Sequence, residues 1–167
     1  MAQRNPLRLR IQIALTEELK KITPSNGYQH DLHNAVFRGR DSFGDKDPLP
    51  MVSILESVDE KRPDGTSADM RPGSSVRQGQ WEVLVQGFVE DDRRNPTDPG
   101  YRLMADVHQC LARLRMQKNN ILGFGNAVTD LQFTTGIVRP ADEISGKAYF
   151  WMKVRMNVAE DHSDPYA

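Results

Sequence analysis

Residues 148–158 read AYFWMKVRMNV and give the strongest strand signal in the chain. Apolar side chains recur at every second position, which is the period of a β-strand with one buried face. The alternate positions form a second face that is only partly polar, so we expect a neighbouring subunit to cover it. The first face would carry Ala148, Phe150, Met152, Val154, Met156 and Val158, and the second would carry Tyr149, Trp151, Lys153, Arg155 and Asn157.

Four other stretches of the chain predict strands. Residues 35–38 indicate a short strand, and the run MVSILE at 51–56 indicates a strand that is buried on both faces. Residues 81–90 and 131–138 alternate in hydrophobicity, and each indicates one strand. Residues 142–146 would form the hairpin turn that leads into the last strand.

Two segments have the period of an amphipathic helix. Pro6 and Pro99 lie in the predicted first turns, where the missing N–H group of proline costs nothing. The order α-β-β-β-α-β-β predicts an α+β fold with a mainly antiparallel sheet and two amphipathic helices packed on one face. The apolar stripe would be Ile11, Leu15, Leu19 and Ile22 in the first helix, and Leu103, Val107, Cys110, Leu111 and Leu114 in the second.

The length and the charge of the chain restrict the number of domains and the kinds of partner that we expect. The 167 residues suit a single domain over 1–167. With 22 basic and 23 acidic residues the formal net charge is −1, which does not favour tight binding of nucleic acid. Residues 1–40 hold seven basic and three acidic side chains, whereas residues 41–60 hold one basic and six acidic. This asymmetry favours head-to-tail assembly of copies.

Two segments have too few apolar residues to pack by themselves. Residues 57–79 are rich in charged residues, proline, glycine and serine, and we expect a long polar loop or arm that orders against a partner. Residues 160–167 form an acidic C-terminal tail that we expect to be loose.

The sequence does not predict secretion or membrane insertion. The first residues lack the apolar core of a signal peptide, and no stretch approaches the roughly 20 apolar residues of a membrane span. Cys110 is the single cysteine, so no intrachain disulfide can form and the thiol suits a reducing cytosol. We therefore expect a soluble protein with no membrane partner.

A search for reactive groups finds no convincing site. His30 and His33 have a metal-like spacing, but one pair is too few for a metal centre. Cys110 falls within a predicted apolar stripe and has no histidine positioned to activate it, so a buried small hydrophobe is the better interpretation. The paired carboxylates all fall in predicted turns, where they stay solvated. We expect no catalytic residue, no metal and no cofactor.

Residues 7–56 carry a succession of features that resembles a known family. The helical segment IQIALTEELKKI at 11–22 is followed by NAVFRGR at 34–40, by FG at 43–44 and by DPLPMVSI at 47–54. This succession resembles the tail terminator (tail completion) proteins of long-tailed bacteriophages, in which a short N-terminal helix precedes a run of the type V-F-R-G-R…F-G-x-x-x-x-L-P-x-x-S. The order of the later elements is also similar, but the 57–79 stretch cannot be aligned.

The resemblance implies a structural virion protein and not an enzyme. Such proteins form hexameric rings at the head-proximal end of a finished tail, stop polymerisation of the tail tube and dock the neck proteins of the head. The partners would be sister copies, the tail tube protein, neck or connector proteins and, in a contractile tail, the sheath. Genomic DNA would pass through the lumen without tight binding, and assembly would take place in the host cytoplasm.

Twelve residues are candidates for contacts with sister subunits, the neck or the tube. They share charge or aromatic character and lie in predicted loops, at the end of the predicted strand over 35–38 or on the second face of the last strand. They are Arg38, Arg40, Phe43, Asp45, Asp47, Asp59, Glu60, Arg62, Arg71, Arg77, Trp151 and Arg155.

Three alternatives stay open on the sequence. One is another neck or connector protein of the head–tail stopper type. The second is a small α+β enzyme or ligand-binding domain whose site is built from scattered residues. The third is an assembly component of a bacterial contractile injection system. Rings, as opposed to monomers that bind a ligand, would separate the first and third from the second.

Overall fold

The computed structural model describes residues 3–57, 70–143 and 145–167. Within them the chain is α+β, with a six-stranded, mostly antiparallel sheet and two α-helices. The helices are α1 (Leu7–Leu19) and α2 (Asp98–Arg115). The strands are β1 (Val36–Arg38), β2 (Met51–Glu56), β3 (Val76–Val89), β4 (Val128–Phe133), β5 (Ile137–Arg139) and β6 (Ala148–Asp161).

The sheet is built around the pairing of its two longest strands. β3 and β6 pair antiparallel over 14 residues each, from Val76 opposite Asp161 to Val89 opposite Ala148. β2 pairs antiparallel with β3, and β1 pairs parallel with β2. β4 and β5 both pair with β6, so the strand order is β1-β2-β3-β6-β4 with β5 beside β4 on the same edge.

The predicted order α-β-β-β-α-β-β is wrong by one strand. Residues 131–138 do not form a single strand, because Thr134–Gly136 separates β4 from β5. Gly136 has a φ of 76°, a left-handed conformation that favours glycine, and a Cβ there would lie 2.7 Å from the Met104 sulfur. The chain breaks its strand geometry at Gly136 and then pairs with β6 again.

Two predicted boundaries of irregular segments are also wrong. The loop predicted over 57–79 ends earlier, because β3 begins at Val76; its residues 58–69 lie outside the described part of the chain. The tail predicted to be loose from 160 is paired in β6 as far as Asp161. Beyond it, the Leu7 N–H group donates to the Pro165 carbonyl at 3.0 Å, which ties the C-terminal residues to α1.

The core forms where the apolar faces of the elements meet. The buried positions of β3 and β6 include Trp81, Val83 and Val85 and, in β6, Ala148 and every second residue to Val158. They form one cluster with buried residues of α1 and α2, and all five residues of the predicted second-helix stripe are buried there. None of the described helices is long and apolar enough to cross a membrane.

Candidate interaction surface

The face of the sheet opposite the core is the first candidate for a functional surface. We call it the outer face. Its positions on β3 and β6 alternate with the core positions, and most of them are half-buried in the single chain. Register places Gln86 beside Trp151, and Trp151 beside Ile137 of β5, which is 51% exposed. This face carries large apolar side chains that are accessible from outside the chain.

Four aromatic rings form a continuous row across this face, which we call the aromatic row. Phe43 and Phe88 have ring centroids 4.6 Å apart, Phe88 and Tyr149 are separated by 6.2 Å, and Tyr149 and Trp151 by 5.8 Å. The Tyr149 hydroxyl donates to the Asp142 carboxylate at 3.0 Å, which fixes its ring. The row therefore links a loop, β3 and β6 into one ordered surface.

The loop between β1 and β2 is held on the outer face by its own residues. The Arg40 guanidinium lies over the rings of Phe37 and Phe43, at 4.6 and 5.3 Å, and pairs with the Asp47 carboxylate at 2.8 Å. The Gly44 N–H and the Arg40 guanidinium hold the pKa of Asp47 below its ordinary value. We call this arrangement of Arg40, Phe43 and Asp47 the bracket.

A charged cluster lies beside the aromatic row. The Glu82 carboxylate accepts hydrogen bonds from the Ser57 hydroxyl at 2.6 Å and from Arg155 Nε at 2.5 Å, and Lys153 Nζ lies 3.0 Å away. Burial raises the pKa of Glu82, but the hydrogen bonds from Ser57, Arg155 and Lys153 together outweigh it and lower the pKa to about 2. Glu82 therefore stays ionised and fixes both cations on the outer face.

We expect the substitution Glu82→Gln to destabilise the protein in a pH-dependent way. The pKa falls from 4.5 to about 2 on folding, so the carboxylate stabilises the fold above pH 4.5 and loses this effect as the pH falls toward 2. Near neutral pH the free energy of unfolding of the variant should be about 1–2 kcal/mol lower than that of wild type. This value is smaller than the full pKa shift would give, because Glu82 is partly exposed to solvent. Urea titrations from pH 7 to pH 2.5 measure it, with Glu143→Gln at an exposed carboxylate as control. A gap between wild type and variant that does not narrow in acid would contradict this account.

The structure places five of the nine described contact candidates in the bracket or on the outer face. Arg40, Phe43 and Asp47 form the bracket, and Trp151 and Arg155 lie on the outer face. Asp45 is exposed in the bracket loop, and Arg71 is exposed before β3. Arg38 is exposed on β1 opposite Ile54, which is a core position, so it belongs to the other side of the sheet. Asp59, Glu60 and Arg62 lie outside the described residues.

Arg77 was expected on the surface, and this prediction is wrong. Its side chain is only 7% exposed. Residue 77 belongs to β3 and lies four positions before Trp81, so the two side chains share the core face of the strand. Sequence reasoning failed here because the true start of β3 was hidden by its glutamines and glycine.

Sequence reasoning missed several residues that complete the surface. Phe88, Leu84 and Glu82 were assigned to one strand face, but nothing in their spacing showed which residues of other strands would lie beside them. Their partners on β6 are Tyr149, Lys153 and Arg155, which lie 61 to 73 residues further along the chain. The alternation of the sequence therefore predicts which residues share a strand face, but it does not predict which strands pair.

The edges of the sheet are poorly suited to pairing with another strand. β4 contains a bulge between Val128 and Asp130, and the Asp130 carboxylate accepts the Leu131 N–H at 2.9 Å. At the opposite edge β1 has only three residues. Short, bulged edges with inward-bonded carboxylates discourage edge-to-edge addition, so contacts through side-chain surfaces are favoured.

The candidate reactive groups have structural partners. His30 Nδ1 lies 2.7 Å from the Asp106 carboxylate of α2, so this ring nitrogen already has a structural partner. Burial raises the pKa of the Cys110 thiol to about 11, which keeps it un-ionised near neutral pH. Among the described residues, no group of three or more His, Cys, Asp or Glu side chains could hold a metal ion. No protein-family model and no curated protein matches the chain.

Proposed function

We propose that this chain is a ring-forming tail terminator of a long-tailed bacteriophage. Six copies would cap the head-proximal end of the tail tube, stop its polymerisation and dock the neck, while DNA passes through the lumen without tight binding. The observation that carries the proposal is the bracket. Arg40, Phe43 and Asp47, which lie in the stretch that resembles the family, converge on the aromatic row at the outer face.

The bracket supports a role in assembly because it gives the aromatic row a fixed shape before any partner binds. The Ser53 hydroxyl donates to the Arg40 carbonyl at 2.7 Å, so the loop is anchored to β2 as well as to Phe88. A pre-ordered surface loses less conformational entropy on binding than a mobile one. We infer that the bracket serves as a docking platform for the tube or the neck.

We also propose that both helices cover the core face and leave the outer face for a partner. The contacts that support this placement are those of α2 with β3, β4, β5 and β6 and those of α1 with β1. The composition of the outer face agrees, since tryptophan, tyrosine and arginine are the residues that contribute most at protein–protein interfaces.

The proposal is tested by substituting Trp151 and locating the protein in particles. Trp151→Ala should abolish capping of purified tail tubes, and particles made with the variant should lack the head–tail joint. Gln80→Ala, which changes an exposed residue of β3 outside the aromatic row, is the matched control and should cap normally.

Labelling of the protein in intact particles separates the alternatives. Signal at the junction of tube and neck supports a terminator, and signal only at the portal indicates a stopper. Particles that contain no label at the joint, or a turnover reaction abolished by one substitution, would overturn the proposal.

A further inference from the structure

α1 carries apolar side chains outside the side that faces the core. Ile11, Leu15 and Leu19 are fully buried, yet Leu9 remains 38% exposed and Ile13 is only half-buried. Leu9, Ile13 and Glu17 follow one another at four-residue intervals, so they form a second stripe along the helix. We call it the α1 stripe. A helix with apolar residues outside its core-facing side has a surface that a partner can cover.

The Glu17 end of the α1 stripe lies toward the β1 edge of the sheet. α1 packs beside β1, while Arg8 and Gln12 in its first half reach Glu160 of β6 and Glu56 of β2. The Lys20 ammonium hydrogen-bonds Glu17 and is the largest influence that lowers the pKa of this carboxyl, with smaller contributions from the nearby charges of Arg38 in β1 and of His33. Glu17 therefore borders this edge, and Leu9 and Ile13 lie on the same side of α1, two turns and one turn before it.

A complementary surface lies at the opposite edge. On α2 a stripe of exposed or half-buried residues runs along the helix beside β4 and β5. His108 stacks on Phe133 with ring centroids 5.5 Å apart, and both rings line an open, mostly apolar groove of about 430 Å³. We call these residues, spaced at three or four positions, the α2 stripe: Tyr101, Ala105, His108, Ala112 and Arg115.

The two stripes match in polarity and in charge. Each is apolar for most of its length and ends in a charge, a carboxylate at Glu17 and a guanidinium at Arg115. Arg115 is exposed and forms no ion pair within the part of the chain that the structure describes. Leu9 to Glu17 spans about 12 Å of helix and Ala105 to Arg115 about 15 Å, so parallel packing brings the charges together. The two alanines of the α2 stripe allow close approach of a second helix.

We propose that the α1 stripe of one copy packs along the α2 stripe of the next copy, over the groove at His108 and Phe133, with Glu17 paired to Arg115. The two surfaces differ, and Glu17 and the α2 stripe lie toward opposite edges of the sheet, so the contact is heterologous, which is the type of contact from which a ring is built. Helix-in-groove contact also suits sheet edges that resist strand addition. This inference rests on the proposed ring, and it names the subunit contact that the ring uses.

Reversing the two charges tests the pairing. Glu17→Arg and Arg115→Glu should each weaken self-association about tenfold or more, and the double variant should recover it to within about threefold. An equal mixture of the two single variants should also associate, because each like-charged copy then meets its opposite. Glu18→Arg is the matched control, since it breaks an equivalent pair with Lys21, 2.6 Å long, outside the stripe. Sedimentation velocity measures all five samples.

Cross-linking tests the contact independently of affinity. The pair Ile13→Cys and Ala112→Cys in one chain should give a ladder of oligomers with a short bismaleimide, whereas each single variant should stay monomeric, because its cysteine faces an unmodified residue of the next copy. Cys110 is 4% exposed and stays out of the reaction. Rings that persist in both charge variants, without a ladder, would overturn this contact and leave the terminator proposal standing. A chain with neither rings nor a ladder would overturn both.

Discussion

Replacing Gly87 by alanine is expected to destabilise the protein strongly. Gly87 lies opposite Phe150 in the β3–β6 pair, and a Cβ at residue 87 would lie 2.0 Å from Cε1 of the fully buried Phe150 ring. The ring would have to leave its position in the core. Overpacking of this kind costs about 3 kcal/mol, and the melting temperature should fall by about 10 °C for a chain of this length. Thermal and urea unfolding followed by circular dichroism measure the change.

Two variants make this expectation specific to the clash. Gly44→Ala adds the same methyl group where nothing lies within 4 Å, so its unfolding free energy should stay within about 0.5 kcal/mol of wild type. Combining Gly87→Ala with Phe150→Leu should cost less than the sum of the single changes, because the smaller side chain makes room. Equal destabilisation by Gly87→Ala and Gly44→Ala would show that Phe150 does not fill the space above Gly87.

Gly87 also shows how the β3–β6 pair fixes both the core face and the outer face of the sheet. Phe150 occupies the space above Gly87 on the core face, while its chain neighbours Tyr149 and Trp151 point to the opposite side. The position of the aromatic row is therefore set by the same register that fills the core. A slip of one residue between β3 and β6 would bury the row and expose the core, so the outer face is as strongly specified as the core itself.

The sequence predicted the elements better than their pairing. The helices were found from periodicity, because Leu103, Val107 and Leu114 recur with the spacing of one helix face. The strand at 148–158 was found because its alternation is long and regular. The break at Gly136 was missed, since a left-handed glycine inside an alternating run looks like any other position. The start of β3 was also missed. Val76 and Arg77 belong to the strand because they pair with Asp161 and Glu160, and their hydrophobicity gives no sign of this pairing.

The sequence could indicate only some of the residues of the candidate surface. Arg40, Phe43 and Asp47 are close in sequence, so a local loop could bring them together without knowledge of the sheet. Glu82 and Lys153 come from separate strands and meet only through β3–β6 register. The sequence therefore indicated the three residues of the bracket as contact candidates without predicting their contacts with one another, whereas the charged cluster depends on a long-range pairing that no local pattern encodes.

Loss of the Asp106 carboxylate is expected to have the other large effect. This side chain belongs to α2 and is 4% exposed. Its Oδ2 accepts hydrogen bonds from the backbone N–H groups of Gln29 and His30, at 3.0 and 2.9 Å, and lies 2.7 Å from His30 Nδ1. Asp106→Ala would leave these donors without an acceptor in a buried place, at a cost of about 4 kcal/mol in unfolding free energy. Urea denaturation near neutral pH measures the loss.

A neighbouring carboxylate provides the control for Asp106. Asp31 accepts the His33 N–H at 3.0 Å in an exposed turn, where water can replace it, so Asp31→Ala should cost less than about 1 kcal/mol. Asp106→Asn keeps one oxygen acceptor and should fall between the two. Hydrogen exchange at Gln29 and His30 should quicken in Asp106→Ala before global unfolding, because α2 fixes this segment ahead of β1. Unchanged exchange at both amides would mean that the Asp106 hydrogen bonds do not hold the segment that leads into the bracket.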